Sequence, residues 1–577
     1  MESFVEYVNE QTLIDFIVKE RVKCATNRSL PKTLPKKSQT KEGLSDILQR
    51  IQSMTPPRNK WRRLRQRSRN GNIPTAVLNR NSLKSTICFD LKKYRKYGAE
   101  APEYLVNLLN FFDEIYNLVD SDGPLDFNFS DCAKVIAKFK KNKGDTAIYR
   151  PLSVYSSLHA KTLISLASEY LTKALDDKLH TEILAYRPKR DYHEKVNYST
   201  KPDDAIWGLR KFMDDHPDQQ MYVAECDIQK FYDVLNHDVV LACFTDIAEE
   251  AQIPNYHEVE RILKAYLDSY SFPKDIMSLN DDKNFWNIYK AKQKNPKEFC
   301  RFEWVSDDCF KTCYESEEQL QGCKHLLGVP QGGALSCIVA NVVLNSVDKV
   351  VLAEDDPNRF FVRYGDDILL AHTDYQKCCQ LMDAYVKSLE RHHLPYHPFV
   401  PLSEFKQGAK ILKGYWDMKS KSPYLWGPGE GNASEWIGFV GYEVRYSGET
   451  RIRKTTLDKK FNAINKKYHE CFLKDTPKNF HRFMQSNRRK LAGLNSSLAK
   501  MAALKRNSYS VQQAKSLDRY RLHKIEKLQR KLTNKFRDLA IENCEEIDLA
   551  KIFVINKEAS RDKSFYWKLH DISINQK

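Results

Sequence analysis

Apolar residues along this chain are spaced in two ways, and each spacing predicts one type of element. From Glu2 to Lys23 they recur every three or four positions, which predicts an N-terminal helix. The same period returns in Leu522 to Leu539. Between 360 and 371, two apolar arms flank Tyr364-Gly365-Asp366-Asp367, a pattern typical of a β-hairpin with acids at its turn. Another strand-like run begins at Met221 and ends at Asp227.

The acids at these two places point to a metal site. Asp366 and Asp367 are adjacent, and their charges repel each other unless a cation or a fixed donor lies nearby. Mg²⁺ prefers hard oxygen ligands and fills the rest of its shell with waters and substrate phosphates, so a few carboxylates suffice. The alternative is a solvated turn without a metal. A third carboxylate at a strand end, Asp227, favours the metal.

Length and charge narrow the class of protein. A chain of 577 residues is long enough for three or four folded units at about 150 residues each. Lys and Arg exceed Asp and Glu by 17, which indicates a polyanionic partner such as nucleic acid. An anionic membrane surface is the alternative, but no amphipathic basic helix or lipidation signal supports it. The first residues lack a signal-peptide pattern, so we expect a cytoplasmic protein with reduced thiols.

Three motifs follow one another in a recognisable order. They are Asp227 with Phe231-Tyr232-Asp233, then Gly328-Val-Pro-Gln331-Gly332-Gly333, and then Tyr-Gly-Asp-Asp. Together they resemble the metal-binding, Pro-Gln-Gly and Tyr-Gly-Asp-Asp motifs of reverse transcriptases. Upstream, 139–153 and 185–190 are similar to the two fingers blocks of that family, and 435–442 downstream is similar to its primer-grip hairpin. The resemblance extends over about 134–456.

The resemblance implies an α+β fold of the right-hand polymerase type, with fingers, a palm containing an antiparallel sheet, and a helical thumb. We predict an N-terminal helical and basic extension at 1–100 and the fingers and palm at 101–450, with an insertion at about 250–323. The thumb is predicted at 451–540, because residues 451–537 include 25 Lys and Arg but only 5 Asp and Glu. A C-terminal tail would occupy 541–577.

The resemblance also implies a role for individual residues. Two Mg²⁺ ions, with Mn²⁺ as an alternative, are assigned to Asp227, Ile228, Asp366 and Asp367. The incoming triphosphate is assigned to Arg150 and Lys143, with Lys141 left open as the lysine. Tyr232 is placed as a steric gate against the ribose 2′-hydroxyl, and Gln331 and Gly332 beneath the template–nucleotide pair. The primer grip falls on Phe439, Val440, Gly441 and Tyr442. A proton-donating lysine is expected between Glu404 and Lys421, at no assigned position.

A basic run without acids lies between 56 and 70. Its arginines Arg62, Arg63, Arg65 and Arg67 are candidates for contacts to RNA phosphates, and Trp61 for stacking on a base. The alternative for this run is a solvated tail.

The leading hypothesis is an RNA-directed DNA polymerase that adds dNTPs to a 3′-hydroxyl. A protein-primed or weakly templated DNA polymerase, an RNA-dependent RNA polymerase and an inactive RNA-binding protein remain alternatives. Within the family, the chain is most similar to the unknown-group and abortive-infection enzymes of bacteria, which act in antiphage defence. That similarity implies a non-coding RNA as template, a DNA product, no membrane, and a homo-oligomer or a second defence protein as partner.

Overall fold

The computed structural model describes residues 2–26, 39–62, 75–98, 100–121, 123, 125, 133–155, 157–190, 196–199, 202–290, 299–407, 410–470, 511–520 and 523. The predicted helix at 522–539, apart from residue 523, lies outside these residues, as do the predicted tail at 541–577 and most of the predicted thumb. Arg63, Arg65 and Arg67 lie outside them as well. No helix in the described ranges combines the length and the apolar character that crossing a bilayer requires.

The helices of the described residues are, in chain order, α1 (Phe4–Tyr7), α2 (Glu10–Thr26), α3 (Gln39–Ser53), α4 (Thr75–Tyr97), α5 (Glu103–Asp120), α6 (Leu158–Leu175), α7 (Pro202–Asp215), α8 (Phe231–Val234), α9 (His237–Glu250), α10 (His257–Asp268), α11 (Lys283–Lys290), α12 (Glu317–Cys323), α13 (Ser336–Leu352), α14 (Tyr375–Arg391), α15 (Lys413–Asp417) and α16 (Lys454–Glu470). The predicted N-terminal helix is therefore two helices. Asn9 lies at the break, where its side-chain oxygen accepts a hydrogen bond from the main chain of Thr12 and starts the second helix.

The strands are β1 (Ala133–Lys143), β2 (Thr146–Tyr155), β3 (Pro188–Arg190), β4 (Val196–Ser199), β5 (Tyr222–Asp227), β6 (Phe299–Phe302), β7 (Arg359–Tyr364), β8 (Asp367–His372), β9 (Phe399–Val400), β10 (Lys406–Gln407), β11 (Lys410–Ile411), β12 (Ser420–Trp426), β13 (Ala433–Ser434), β14 (Trp436–Phe439), β15 (Tyr442–Arg445) and β16 (Thr450–Ile452). Helices and largely antiparallel strands together make an α+β protein, as predicted. The finer division into fingers, palm and thumb remains a prediction.

The chain divides into two compact units. The first comprises 1–201, 221–405 and 413–423, and the second comprises 202–220, 406–412 and 424–577. Every carboxylate of the predicted metal site belongs to the first unit, and the predicted primer grip belongs to the second.

One sheet of the first unit, which we name the carboxylate sheet, positions the acids. Its strands lie in the order β12, β5, β8, β7, and β9 pairs with the start of β12. Both central strands are almost wholly buried, because α14 packs on β5 and β8 while α13 packs on α14. The two apolar arms predicted from the sequence are β7 and β8. The buried sheet thus gives its strand ends a rigid support.

The N-terminal helices are part of the same core. Apolar side chains of α1 and α2, such as Phe4, Ile14 and Ile17, are buried in one cluster with residues of α6, α10 and α13. These helices therefore cover the first unit rather than forming a separately packed core.

A second sheet of the first unit contains the predicted fingers block. The hairpin β1–β2 is antiparallel, and β6 pairs with β2 in parallel. Aromatic residues of the predicted insertion, including Phe272, Trp286 and Phe302, pack with Tyr149 of β2 in one buried cluster. The segment predicted as an insertion therefore supplies both a strand and a core to the basic hairpin.

The described part of the second unit includes the sheet β14–β15–β16. Phe439 pairs with Tyr442, so Val440 and Gly441 form a two-residue turn, as the primer-grip resemblance predicts a hairpin here. Their φ values are 41° and 90°. Gly adopts such values freely, whereas the β-branched Val440 does so at a cost.

Candidate active site

The three carboxylates are brought together by strand register. Asp227 ends β5, and Asp367, which begins β8, is its direct partner across the antiparallel pair. Tyr364 of β7 pairs with Asp367, so Gly365 and Asp366 make the two-residue turn of the hairpin. Gly365 has a φ of 74°, which a two-residue turn of this kind requires. Residues 140 positions apart in the sequence therefore share one end of the carboxylate sheet.

The pKa values of Asp366 and Asp367 are raised, in part by the charge of Asp227. Limited access to water, followed by the charges of Asp227 and Asp366, raises the pKa of Asp367 to about 7. The same two causes, withdrawal from water and then the charge of Asp227, raise the pKa of Asp366. Concentrated negative charge of this kind is stabilised by a cation.

A lysine that sequence reasoning left unassigned lies at this site. The Nζ atom of Lys419 is 2.6 Å from Oδ2 of Asp227. Although partial burial opposes it, the negative charges of Asp227, Asp367 and Asp366 raise the pKa of Lys419. Lys419 falls within the interval in which the proton-donating lysine was expected.

A second acid–lysine pair lies beside the first. Lys421 donates a hydrogen bond to Glu225, and both side chains are buried. Because alternate residues of a strand face the same side, Asp227 and Glu225 on β5 match Lys419, which directly precedes β12, and Lys421 within it. The hydroxyl of Ser420, between the two lysines, accepts a hydrogen bond from the main chain of Asp227. This matched spacing of two acids and two lysines is the signal that could have identified Lys419.

The donor chemistry fits divalent metal ions, which reverse transcriptases use. Asp227, Asp366 and Asp367 offer hard carboxylate oxygens at one end of the sheet, the ligand type that Mg²⁺ prefers. Ile228 can contribute only its main chain. Within the described ranges, no three His, Cys, Asp or Glu side chains form a ready-made metal cluster. Substrate phosphates and waters would therefore complete any coordination shell.

The predicted steric gate has a partner that the sequence did not indicate. Burial, and then the neighbouring phenol of Tyr186, raise the pKa of Tyr232, so the two phenols lie close to each other. Tyr186 belongs to the second fingers-like block and has a left-handed φ of 62°. The charge of Asp366 also acts on Tyr232, which places the gate near the carboxylates.

The Pro-Gln-Gly loop is hydrogen bonded to the motif that begins at Asp227. Nε2 of Gln331 donates a hydrogen bond of 2.6 Å to Oδ1 of Asp233, and the main chain of Val329 donates to the carbonyl of Tyr232 at 2.8 Å. Gly332 has a φ of 88°. A Cβ atom on Gly333 would lie 2.3 Å from the buried Tyr266 hydroxyl, so only glycine fits there. Asp233 therefore anchors Gln331.

Of the two predicted phosphate ligands, Arg150 is better placed. It is exposed on β2, and its charge acts on Asp366 and Asp233. Lys143 lies at the far end of the hairpin, where its Nζ is 3.0 Å from Oε1 of Glu303. Lys141, the other candidate, is exposed on the same strand. Which lysine meets a triphosphate remains a prediction.

The remaining predicted sites differ in their surroundings. Phe439 and Tyr442 of the predicted primer grip are buried in the second unit, and the turn between them is partly exposed. Arg62 is exposed and lies over the ring of Phe89 at 4.3 Å. Trp61 is only 8% exposed and donates its indole N–H to the carbonyl of Pro56. The prediction that Trp61 stacks on a base is therefore wrong.

Three carboxylates thus lie at adjoining strand ends, with Lys419 beside Asp227. Residues 267–398 match the family model described as reverse transcriptase (RNA-dependent DNA polymerase). The chain is accordingly an RNA-directed DNA polymerase. The matched segment contains the Pro-Gln-Gly and Tyr-Gly-Asp-Asp motifs, whereas Asp227 lies before it.

Solved telomerases are among the similar structures. The telomerase of Candida albicans in complex with a fragment of telomeric RNA is 12% identical, with 97% of this chain and 80% of that chain covered and a TM-score of 0.34. Apo telomerase from Candida tropicalis is 10% identical, with 100% and 86% covered and a TM-score of 0.33. A form of the latter truncated from its C-terminal domain is 12% identical, with 78% and 83% covered and a TM-score of 0.31. No curated protein matches the chain.

Proposed function

We propose that this enzyme copies an RNA template into DNA with two Mg²⁺ ions at the end of the carboxylate sheet. Asp227, Asp366 and Asp367 would hold the ions, which when bound activate the primer 3′-hydroxyl and stabilise the departing pyrophosphate. The register that places Asp227 directly opposite Asp367, next to the Asp366 turn, is the observation that carries this proposal.

The chain's own residues supply positioning and proton transfer. Arg150 offers a planar guanidinium that takes phosphate oxygens two at a time, near enough to Asp366 for their charges to interact. Lys419, held against Asp227 and kept protonated by the three acids, is the candidate that donates a proton to the leaving pyrophosphate. Gln331, fixed by Asp233, would support the template–nucleotide pair.

The finer part of the proposal is biological. We place the enzyme in the cytoplasm of a bacterium, in antiphage defence, with a non-coding RNA as template. The similarity of the motifs to unknown-group and abortive-infection enzymes supports this part. Sequencing the nucleic acid that copurifies with the protein tests it, because DNA complementary to one host RNA is expected. Only heterogeneous host RNA, with no DNA, would count against the proposed template and product.

Purified protein incubated with a primed RNA template, Mg²⁺ and either dNTPs or NTPs tests the polymerase directly. Extension is expected with dNTPs. Extension with NTPs alone would favour RNA-dependent RNA synthesis. Product that appears without a primer and shifts on a gel after proteinase digestion would favour protein priming, for which Tyr566, outside the described residues, is a candidate.

Tyr232→Ala is expected to relax sugar selection. Removing the ring opens space for a 2′-hydroxyl, so use of ribonucleotides should rise relative to deoxynucleotides. Ratios of kcat/KM for dGTP and GTP measure the change. Tyr375→Ala is a matched control, because Tyr375 is an exposed tyrosine at the start of α14. A ratio equal to that of the unmodified enzyme would remove the gate role from Tyr232.

RNA binding is expected to weaken steeply with salt, because it releases counterions from neutralised phosphates. Replacing Arg62, Arg63, Arg65 and Arg67 together with Gln should lower the slope of log K against log[salt] by about 0.7–0.9 for each lost contact. Filter binding at a series of NaCl concentrations measures the slope. An unchanged slope would return this run to the solvated-tail alternative.

A further inference from the structure

A fully buried ion pair lies next to the Gly365–Asp366 turn. Arg363 of β7 and Asp348 of α13 are both 0% exposed, and Nε of Arg363 is 2.7 Å from Oδ2 of Asp348. Burying such a pair gains little stability compared with apolar side chains of similar volume. Within the described part of the chain, Nη2 of Arg363 and Oδ1 of Asp348 are buried without a hydrogen-bond partner. A contribution to folding stability therefore does not by itself explain why the pair is buried there.

The guanidinium also reaches the turn that carries Asp366. Nη1 of Arg363 donates a hydrogen bond of 3.1 Å to the carbonyl of Gly365. Because Asp348 fixes the guanidinium from α13, this bond ties the turn to a buried helix. The position of the Asp366 carboxylate then depends on an anchor outside its own hairpin.

The same guanidinium is linked to the steric gate through Asn341. Nη1 of Arg363 donates to Oδ1 of Asn341 at 3.3 Å, and Nδ2 of Asn341 donates to the carbonyl of Ala185 at 3.0 Å. The main chain of Arg363 adds two hydrogen bonds to the same segment, at Glu182 and Leu184. The residue after Ala185 is Tyr186, whose phenol neighbours that of Tyr232.

Tyr186 is held in its left-handed conformation from both sides. On one side is the bond from Asn341 to Ala185. On the other, the Arg187 side chain donates to Asp176 at 2.8 Å and to the carbonyl of His180 at 2.5 Å. A non-glycine residue keeps such a conformation only where its surroundings impose it. Asn341 is one of the groups that impose it.

We propose that the buried network of Asp348, Arg363 and Asn341 positions two parts of the active site together: the turn that carries Asp366, and the Tyr186–Tyr232 pair that selects the sugar. These are positioning residues, since none of them reaches a reacting atom. The inference rests on the proposed function and deepens it, by making sugar selection and metal positioning depend on one buried amide, that of Asn341.

Asn341→Leu tests the shared anchor, and Asn345→Leu is its matched control. Both asparagines are on α13, and both are 1% exposed. Asn341 donates a hydrogen bond to a main-chain carbonyl and Asn345 accepts one from a main-chain N–H, so each variant loses a bond to the main chain. The donor to Asn345 is the main chain of His180, so Asn345 touches the Tyr186 segment but makes no bond with Arg363. A loss of stability should therefore be common to the two variants, whereas an effect on the turn that carries Asp366 should be confined to Asn341→Leu.

Three quantities are measured for each variant that remains folded by circular dichroism: kcat with dNTPs, the Mg²⁺ concentration for half-maximal rate, and the ratio of dNTP to NTP use. Asn341→Leu is expected to lower kcat about tenfold to a hundredfold, as small displacements of reacting groups do. It should raise the Mg²⁺ requirement and shift the sugar ratio toward NTPs by about threefold or more. Asn345→Leu should leave kcat and the Mg²⁺ requirement unchanged.

A second variant removes the ion pair without leaving a buried charge. Arg363→Met combined with Asp348→Leu keeps the site filled with apolar side chains, so the protein should fold. The same fall in kcat and rise in Mg²⁺ requirement are expected, with RNA affinity unchanged. If unmodified enzyme makes DNA but both the Asn341 and the double variant match it in these quantities, the network is only structural. If unmodified enzyme makes no DNA, the proposed function fails first.

Discussion

Asp227→Asn, Asp366→Asn and Asp367→Asn are each expected to lower the rate of DNA synthesis at least about a thousandfold. Each substitution keeps the shape of the side chain and removes one of the charges that would bind metal. RNA affinity should stay within a few-fold, because binding depends on basic surfaces and chemistry on the carboxylates. Primer extension under single-turnover conditions, with filter binding on the same preparations, measures both.

Asp355→Asn is the control for lost charge, since Asp355 is exposed in the connection before β7 and away from the three acids in the sequence. It should extend primers at the unmodified rate. Undiminished synthesis by both the Asp366 and Asp367 variants would overturn the assignment of the metal site. A loss of RNA affinity equal to the loss of rate would instead indicate misfolding.

Lys419→Met is expected to lower kcat by about 10²–10⁴ through loss of a proton donor. The KM for dNTPs should change little if the ammonium acts mainly in the transition state. Lys413→Met, an exposed lysine at the start of α15, is the control. Rapid-quench measurement of a single nucleotide addition separates the chemical step from product release.

A second outcome for Lys419 is also informative. The ammonium neutralises part of the charge of Asp227, with which it forms an ion pair. If it serves only as that counter-ion, Lys419→Met should lower the Mg²⁺ concentration needed and leave kcat nearly unchanged. That result would contradict the proton-donor role while keeping the metal site.

The sequence predicted those parts of the site that depend on local pattern. The hairpin around Asp366 needs only a turn glycine and two apolar arms, and Asp227 ends a run of strand-forming residues. The hairpin predicted at 435–442 is likewise local, and Val440 and Gly441 form its turn. Such elements are determined by neighbours in the chain.

Features that depend on distant pairings were missed. Lys419 faces Asp227 only because β12 lies beside β5, and nothing local to Lys419 indicates that neighbour. The segment predicted as an insertion contains β6, which pairs in parallel with β2 and therefore belongs to the sheet of the basic hairpin. Trp61 stands in a basic run that suggests exposure, yet packing around α2 and α4 buries it. Tertiary context decided each of these cases.

The strand order of the carboxylate sheet also bears on how the enzyme is made. Asp227 lies on β5, but the strand that brings Lys419 and Lys421 to its side comes almost last in the first unit. At about 5–20 residues per second, a ribosome delivers that strand about 10–40 s after β5. During this interval β5 lacks one of its two neighbours, and non-local pairings of this kind form slowly. A nascent chain therefore carries Asp227 for many seconds before the strand that places Lys419 beside it has been made.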